Sequence, residues 1–346
     1  MKRIAIVTIQ SMNYGNRLQN YALQEVLKEF GSVKTLQKNS NSIGILAELK
    51  KCIHILRSKT RADYFALFNR YIQYDRCILA ESPSIAEKYD YFVAGSDQIW
   101  NPLFDFNGGR ELLTFAKPNQ KIAFSASIGL DKLPNEYIEK YKSCLCDFKA
   151  ISMREDLGTR IVKEITNRSD VISVLDPTLL LSKIEWNRIC KKSRFQPKSR
   201  YIFKYILGID NEDIEREINK YALERGLAIF DLKESTKGDK RPIGPAEFVS
   251  LIANSDVVFT DSFHGTVFSM IYERTFFTII RPPQNGYGDM SSRIYSLLKC
   301  FNMMDRILYK ADEIKNMSDI CSFTEMYSIL EEQRKLAIEF LKKNLE

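Results

Sequence analysis

Short apolar runs that alternate with amphipathic stretches are the feature of this sequence that most restricts its fold. In the first half, apolar runs bounded by polar residues or glycine occur at residues 4–9, 91–94, 122–125 and 150–153. Runs of this length are typical of strands buried on both faces of a parallel sheet. A stretch with apolar residues at helical spacing, residues 18–30, follows the first run. This alternation predicts an α/β fold with a doubly wound sheet.

A second series of the same kind follows the step from Asp176 to Pro177, which breaks regular structure. Its apolar runs and helical stretches occur at residues 201–208, 214–225, 227–232, 246–255, 257–259 and 276–280. We therefore predict two Rossmann-like domains, residues 1–175 and 176–322, followed by a C-terminal amphipathic helix at residues 323–346.

Composition narrows the class of protein. The 346 residues carry a net charge of +7, but the lysines are dispersed and no basic block is interleaved with aromatic residues. A solvated surface is therefore favoured over a nucleic-acid interface, while peripheral contact with an anionic membrane surface stays open. The sequence contains no apolar run of 18 residues, so no membrane span is expected.

Seven scattered cysteines favour a reducing cytoplasm. Cys144 and Cys146 lack the second ligand pair of a metal site, so no metal is expected.

Histidine is rare in this chain, and one of its two copies, His264, lies where ligands bind in folds of this class. Residues 256–259 are predicted as a strand, residues 260–264 as a turn and residues 265–273 as a helix. Ligands of open α/β sheets bind at the carboxyl ends of strands, where helix N-termini attract anions. We therefore interpret His264 as a functional residue. His54 lies on a basic amphipathic stretch and is interpreted as a packed or exposed residue without a functional role.

The neighbours of His264 allow either a structural or a binding role. Asp261 or Ser262 can cap the helix, which is as good an explanation of them as ligand contact. Gly265 lets another group approach the backbone closely.

Two loops of the first domain are predicted at the same kind of sheet edge. They are not glycine-rich phosphate loops, so neither a dinucleotide nor a nucleoside triphosphate site is supported. Trp100 could form a platform for a sugar ring, or it could anchor the loop in the core. The residues of these loops that are predicted to lie at the sheet edge are Ser11, Asn13, Tyr14, Gly15, Asn16, Ser96, Asp97, Gln98, Trp100 and Asn101.

Taken together, these segments resemble a known family. The stretches "SMNYGNRLQNYALQ", "FVAGSDQIWNP", "ISMRE", "VLDPTLLL" and "DSFHGTVFSMIYERTFF", followed by "SSRIYSLL", are similar in order and spacing to those of the polysaccharide pyruvyl transferases. The resemblance covers nearly the whole chain, residues 4–304, and is most specific at "GSDQIW" and "DSFHGT".

The resemblance implies a fold and a reaction. Two Rossmann-like domains would face each other across a cleft, as in GT-B glycosyltransferases, with the acceptor on the first domain and phosphoenolpyruvate on the second. Pyruvate would move from phosphoenolpyruvate to two hydroxyls of a sugar, giving a cyclic ketal and phosphate. The sugar would belong to a cell-surface glycan, as a lipid-linked precursor on the cytoplasmic leaflet. Phosphoenolpyruvate is then a donor substrate, and no cofactor is expected.

Roles can be assigned to the predicted site residues on this interpretation. His264 would act as acid or base, with Asp261 and Asp97 orienting or activating the acceptor. Many members of the family carry Arg-x-His at this turn, but here the residue two before His264 is Ser262. Arg293 and Arg154 are the first candidates to replace the missing arginine, because a guanidinium group suits carboxylate and phosphate. Each candidate could instead form a surface or structural ion pair. The other candidates are Arg281 and, more weakly, Lys204. The remaining predicted substrate-binding residues are Ser262, Gly265, Thr266, Asn13, Tyr14, Gly15, Asn16, Ser96, Gln98 and Trp100.

Two other functions remain open at this stage. One is a GT-B glycosyltransferase that uses a nucleotide sugar. Retaining members of that class often carry two glutamates separated by seven residues. That pattern fails here, because the residue at the matching position before Glu273 is Gly265. The other is a catalytically silent protein that binds a glycan or phosphate, which the departure at Ser262 favours.

Overall fold

The computed structural model describes residues 1–37, 60–75, 84–104, 109–208, 211–281, 291–315 and 321–346. These residues form two sheets, one of seven strands and one of five, and the strand pairings in both are parallel. The predicted α/β class with two doubly wound units is confirmed. His54 lies outside the described residues.

The strands are short and mostly buried. The first sheet has the order β3-β2-β1-β4-β5-β6-β7, and the second has the order β12-β11-β10-β8-β9. The strands are β1 (Lys2–Val7), β2 (Gly31–Leu36), β3 (Tyr74–Asp75), β4 (Tyr91–Ala94), β5 (Lys121–Ala126), β6 (Ala150–Met153), β7 (Ile172–Ser173), β8 (Tyr201–Tyr205), β9 (Ala228–Asp231), β10 (Val257–Thr260), β11 (Thr275–Ile279) and β12 (Ile307–Leu308).

Helices connect the strands and cover the sheets. They are α1 (Tyr14–Leu27), α2 (Arg61–Phe68), α3 (Ile85–Lys88), α4 (Asn135–Leu145), α5 (Asp156–Thr166), α6 (Pro177–Leu180), α7 (Lys183–Cys190), α8 (Glu212–Arg225), α9 (Leu232–Thr236), α10 (Pro245–Ala253), α11 (Phe263–Ile271), α12 (Ser292–Cys300) and α13 (Thr324–Leu345). Single 3-10 turns lie at Asn69–Tyr71, Pro118–Gln120, Lys237–Asp239, Met304–Arg306 and Ala311–Glu313. None of the helices in the described part of the chain combines the length and apolar character needed to cross a membrane.

The strand order of each sheet reverses once, and the reversal marks where a ligand site is expected. In the first sheet the chain leaves β1 toward β2 on one side and returns to β4 on the other. In the second sheet β8 is followed by β9 on one side and by β10 on the other. Loops that follow the strands on either side of such a reversal diverge and leave a crevice between them. The loops after β1, β4, β8 and β10 are therefore the ones positioned to build a site.

The buried apolar side chains of the described residues form three clusters, and the largest joins the two sheets. One cluster contains only residues between 5 and 171, and another only residues between 202 and 314. The third includes side chains of β1, β4 and β5 together with side chains of β8, β10 and β11. Tyr14 of α1 stacks on Phe248 of α10 in this shared cluster, with ring centroids 4.9 Å apart. The two halves of the molecule therefore share a hydrophobic core.

The long C-terminal helix returns the chain to the first sheet. The α13 residues Ala337, Phe340, Leu341 and Leu345 are buried, and the Phe340 ring lies 6.1 Å from that of Phe124 in β5. The first sheet ends at Ser173 and the second begins at Tyr201. The domain boundaries drawn at residues 175 and 322 stay a prediction.

Candidate functional site

His264 lies at the start of a helix that follows a central strand of the second sheet. β10 ends at Thr260 and α11 begins at Phe263, so His264 is the second residue of the helix. The prediction that placed His264 in the turn is therefore wrong. The helix starts early because Ser262 is its N-cap, accepting a hydrogen bond from the Gly265 N–H at 3.3 Å. This start places the almost fully buried imidazole at the junction between the two halves.

Gly15, in the first turn of α1, makes room for this imidazole. A Cβ atom added at Gly15 would lie 2.0 Å from Nδ1 of His264. This distance is too short for any side chain at position 15 to fit without a shift of the ring or of the backbone. Asn13 is the N-cap of α1 and accepts a hydrogen bond from the Asn16 N–H at 3.3 Å. The first loop of the first sheet is therefore shaped to receive a ring from the second half.

Asp176 brings a buried carboxylate to the other side of the ring. Its Oδ1 lies 3.7 Å from Nε2 of His264. Its two oxygens accept hydrogen bonds from Ser96 Oγ at 3.0 Å, Arg154 Nη1 at 3.0 Å and the Thr178 hydroxyl at 2.7 Å. Burial by itself would raise the pKa of this carboxyl, but the adjacent His264 and Arg154 hold that pKa well below its usual range. Asp176 is therefore ionised at neutral pH.

Asp97, in the loop after β4, carries a second buried carboxylate. It accepts hydrogen bonds from Arg154 Nη2 at 3.1 Å and from the Asn16 side-chain amide, and its Oδ1 lies 4.0 Å from Arg293 Nη1. Burial acts to raise the pKa of Asp97, but Arg154, His264 and Arg293 together hold that pKa below its usual range. Asp97 is thus a charged acceptor rather than a proton donor.

Arg154 is held between these two carboxylates, which changes its predicted role. Its guanidinium bonds Asp97 and Asp176 and lies 4.4 Å from the centre of the Phe263 ring. Its side chain is 1% exposed and does not border the cavity that His264 borders. Arg154 therefore forms structural ion pairs with two buried acids, the alternative that the sequence left open, and its predicted contact with phosphoenolpyruvate is not supported.

Two other arginines do border that cavity. Arg281 follows β11, and its Nε donates to Oδ2 of Asp261 at 2.7 Å. Arg293 lies in the first turn of α12. Burial, followed by the positive charge of Arg154, lowers the pKa of Arg293 to about 10, so it keeps its charge at neutral pH. Arg281, the third-ranked candidate, and Arg293 are therefore the arginines that a ligand in the cavity would meet.

These residues enclose a cavity of about 490 Å³, which we call the central cavity. Its walls come from the loops after β1, β4, β8 and β10, from the first turns of α1 and α11, and from Arg281 and Arg293. A volume of this order is typical of a site for a small ligand. The lining residues are Ile9, Ser11, Asn13, Asn16, Asp97, Gln98, Phe104, Leu207, Ser262, Phe263, His264, Arg281 and Arg293.

Asp261 is placed differently from the prediction. Its carboxylate accepts hydrogen bonds from the N–H groups of Leu207 and Gly208 at 2.8 and 2.7 Å, and from Arg281. It neither caps the helix nor borders the central cavity. The carboxylate instead fixes the loop after β8 and orients Arg281, so the structure does not support the predicted catalytic contact of Asp261.

Two aromatic residues predicted to bind substrate are core residues instead. Trp100 has no exposed surface, packs against Phe148 with centroids 5.5 Å apart, and donates from its indole N–H to the Glu111 carbonyl at 3.0 Å. Tyr14 is 2% exposed and stacks within the shared core. A sugar ring could reach neither face of the indole, so the platform interpretation of Trp100 is wrong and the core-anchor alternative holds.

Gly265 and Thr266 serve the packing of α11. A Cβ atom at Gly265 would lie 2.5 Å from Oγ1 of Thr260, so the glycine admits the end of β10 rather than a ligand. Thr266 is fully buried, and its hydroxyl donates to the Ser262 carbonyl at 3.2 Å and shares a hydrogen bond with Thr278. The predicted ligand contacts of both residues are not supported.

The remaining predicted residues lie in or directly behind the cavity wall. Asn13, Asn16, Gln98 and Ser262 border it. Ser96 lies behind them, donating from its hydroxyl to Asp176.

Sequence reasoning missed two acids of the site. Asp176 was interpreted only as the residue before a proline, although its place after a short apolar run predicts a sheet-edge position. Glu155 is almost fully buried, and its Oε1 accepts hydrogen bonds from the N–H groups of Ile128 and Gly129 at 3.0 and 3.2 Å. Burial raises the pKa of Glu155 despite the nearby Arg154 and Arg293. The signal for Glu155 was its position directly after Arg154 at the end of β6.

Comparisons with known proteins agree with this architecture. The chain is similar to the UDP-N-acetylglucosamine 2-epimerase of Rickettsia bellii, with a TM-score of 0.54 and 12% identity, over 100% of this chain and 97% of that one. It is also similar to the UDP-GlcNAc 2-epimerase of Neisseria meningitidis bound to UDP-GlcNAc, with a TM-score of 0.56 and 12% identity, over 100% and 99% of the two chains. At such identity the likeness shows the fold, which is GT-B-like. No curated protein sequence matches the chain. The family model for polysaccharide pyruvyl transferase matches residues 13–281, and the chain therefore belongs to the polysaccharide pyruvyl transferase family.

Proposed function

We propose that this protein transfers pyruvate from phosphoenolpyruvate to two hydroxyls of a sugar, forming a cyclic ketal and releasing phosphate. Family membership supports the reaction class. The observation that carries the proposal is the central cavity, which is lined by His264 and Asp97 together with Arg281 and Arg293. A donor with both a phosphate and a carboxylate needs cations, and its reaction needs a group that moves protons.

The two arginines are the proposed donor site. Arg281 is oriented by the Asp261 carboxylate, and Arg293 is nearly buried in the cavity wall. A guanidinium binds carboxylate or phosphate through two parallel hydrogen bonds, which fixes the donor as well as neutralising it. Arg281 and Ser262 border the same cavity. We therefore propose that Arg281 supplies the charge that the family's Arg-x-His arginine provides elsewhere.

His264 is the proposed proton carrier. One sugar hydroxyl adds to carbon 2 of phosphoenolpyruvate and gives its proton to the imidazole, and the imidazole delivers a proton to carbon 3, which becomes a methyl group. The second hydroxyl then forms its bond to carbon 2 as the bond to phosphate breaks, and its proton leaves with the phosphate. One proton is taken up and one delivered at His264, so the residue ends in its starting state. A positioned acid or base of this kind contributes about 10² to 10⁴ in rate.

Asp97 is the proposed anchor for the acceptor. Its pKa is depressed, so the carboxylate is charged and can accept a hydrogen bond from a sugar hydroxyl without taking the proton. Asn13, Asn16 and Gln98 border the cavity beside it and supply further polar contacts. We propose that the acceptor is part of a cell-surface glycan, in a lipid-linked precursor at the cytoplasmic face of the membrane.

Donor binding tests the proposal without knowledge of the acceptor. Thermal stabilisation by phosphoenolpyruvate would be compared with stabilisation by UDP-GlcNAc, since a ligand at a hundred times its Kd stabilises a protein by about 2.7 kcal/mol. We expect stabilisation by phosphoenolpyruvate. By calorimetry, Arg281→Ala and Arg293→Ala should each raise its Kd about ten- to hundredfold, because each removes a charged hydrogen bond worth about 1.5–3 kcal/mol.

The matched control is Arg216→Ala, which removes an exposed arginine paired with Asp213 and should leave the Kd unchanged. A response to UDP-GlcNAc alone would move the protein to the nucleotide-sugar alternative. Binding of neither ligand would favour a protein that only holds a glycan.

The proton-carrier role has its own test. His264→Ala should bind phosphoenolpyruvate but lose at least a hundredfold in phosphate release with a panel of disaccharide acceptors. Circular dichroism serves as the control for folding. Turnover close to that of the wild type would remove His264 from the chemistry.

A further inference from the structure

We propose that Asp176 is the positioning residue of His264: its carboxylate holds the imidazole through Nε2–H and leaves Nδ1 as the nitrogen that exchanges protons with a ligand in the central cavity. The catalytic consequence rests on the proposed function, whereas the tautomer itself does not.

The first support is the surroundings of Nε2. This nitrogen is buried and has no hydrogen-bond partner in the structure. Oδ1 of Asp176 lies 3.7 Å away, so an approach of about 1 Å would bring the pair to hydrogen-bond distance. Hydrogen bonds that catalysis uses are often long in a free enzyme and shorten when substrate binds. A neutral imidazole with its proton on Nε2 satisfies the buried nitrogen, whereas the opposite tautomer would set a lone pair against a carboxylate.

The second support is the rigidity and charge of the carboxylate. Its side chain has no exposed surface. Ser96, Arg154 and Thr178 donate to it, and the Thr178 N–H adds a further hydrogen bond at 3.0 Å. A group held by several donors cannot turn away from the ring. A fixed anion at one ring nitrogen sets the tautomer and orientation of a histidine, and it also stabilises the imidazolium that forms during proton transfer.

The third support is the opposite side of the ring. Nδ1 lies beside Gly15, which has no side chain to cover it, and His264 borders the central cavity. In an imidazole, the lone pair of the neutral ring belongs to the nitrogen that does not carry the proton. With the proton held at Nε2, Nδ1 is therefore the base.

The chain itself makes the tautomer easy to measure. It contains two histidines, so a His54→Gln background leaves His264 as the single source of imidazole signals. In protein labelled with ¹⁵N-histidine, the two ring nitrogens differ widely in chemical shift between tautomers. In a spectrum recorded above the pH at which the ring is protonated, we expect the Nε2–H form to predominate. The Nδ1–H form, or an even mixture of the two, would overturn the proposal.

Two variants separate positioning from simple packing. Asp176→Asn keeps the size of the side chain but removes its charge, so the preference for Nε2–H should be lost. Ser96→Ala deletes another donor to the same carboxylate and leaves the charge in place, so the tautomer should stay as in the wild type. An unchanged tautomer in Asp176→Asn contradicts the proposal. If that variant does not fold, the wild-type spectrum still decides.

Kinetics then distinguish this inference from the proposed function. In the Asp176→Asn variant, kcat for phosphate release should fall about a hundredfold while the Kd for phosphoenolpyruvate stays within about twofold. Equal losses in binding and turnover would indicate a collapsed site and would contradict a positioning role. The tautomer measurement needs no donor or acceptor, so it stands even if the protein proves to use another substrate.

Discussion

The imidazole of His264 and the missing side chain of Gly15 are complementary across the junction of the two halves. The ring comes from α11 of the second half, and the glycine from the first turn of α1. An alanine at position 15 would put its Cβ atom 2.0 Å from Nδ1, well inside van der Waals contact. Either the ring would turn away from Asp176 or α1 would shift. The glycine thus defines the site as much as the histidine does.

The first prediction follows from this contact. Gly15→Ala should lower phosphate release by at least tenfold, because the displaced ring no longer lies between Asp176 and the cavity. It should also lower the free energy of unfolding by about 1–3 kcal/mol, the usual cost of overpacking. Urea denaturation measures the stability, and the disaccharide panel measures the turnover.

A double variant provides the control. In a His264→Ala background the clash is gone, so the added methyl group should cost much less stability than it does in the wild type. The two substitutions are then strongly non-additive, as expected for residues in direct contact. Additive costs would show that Gly15 is needed for another reason, such as the backbone of α1.

At this scale the sequence identified some residues of the site and not others. His264 could be predicted because histidine is rare here and follows a strand. The position of Asp176 at a sheet edge could be predicted, but its role and that of Trp100 could not, because those roles depend on which strands become neighbours. A tryptophan beside polar residues is compatible with either a platform or an anchor, and only its packing on Phe148 decides. The sequence also left open which arginine faces the cavity.

Helix α13 braces the segment that carries Asp176. Arg334 donates to the carbonyls of Leu179 and Leu181 at 2.8 and 2.9 Å, at the end of the short helix α6. Asp176 is the N-cap of that same helix, accepting from the Thr178 N–H. A helix of four residues has little stability of its own. Arg334 at one end and Asp176 at the other therefore help to hold it in place.

The second prediction compares two residues of α13. Arg334→Ala should lower the free energy of unfolding by about 1–3 kcal/mol, because it leaves two carbonyls without their donors. Glu331 pairs with the same arginine at 2.9 Å but is 73% exposed. Glu331→Ala should therefore change stability by about 0.5 kcal/mol or less. Both free energies of unfolding would be measured by urea denaturation. Similar losses in the two variants would mean that the stabilisation by Arg334 comes from its exposed ion pair with Glu331 and not from its contacts with the carbonyls of α6.

Strands whose residues are nearly all apolar could be predicted, whereas strands with a mixed or very short pattern could not. Strands β4 and β6 match the predicted runs, because their residues are almost all apolar and buried. Strand β2 alternates buried and exposed residues, and its glycine, serine and lysine make its sequence resemble that of a loop. Strands β3, β7 and β12 have two residues each, too few to form a pattern. Helix α11 begins two residues before its predicted start, because Ser262 caps it.

The two halves are joined by their core as well as by the site. The shared cluster includes side chains of both sheets and of α13, and no other cluster in the described residues spans them. Separating the halves would expose the aromatic rings around Tyr14 and Phe248, at about 25 cal/mol for each square ångström of apolar surface. We infer that the folded state behaves as one cooperative unit rather than as two independent domains.

The third prediction tests this cooperativity with a residue that does not touch the boundary. Phe277 of β11 lies in the cluster confined to the second half, where its ring is 4.8 Å from that of Phe259. Phe277→Leu removes buried volume from the core and should lower the free energy of unfolding by about 1–2 kcal/mol. If the molecule unfolds as a unit, hydrogen exchange in β5 of the first sheet must accelerate by the same factor as in β10, because both amides exchange through one global opening. The reciprocal variant, Phe92→Leu in the first sheet, should have the matching effect on β10. Acceleration confined to the mutated half would show that each sheet opens alone, and the junction that holds His264 would then be a contact between two separately stable domains.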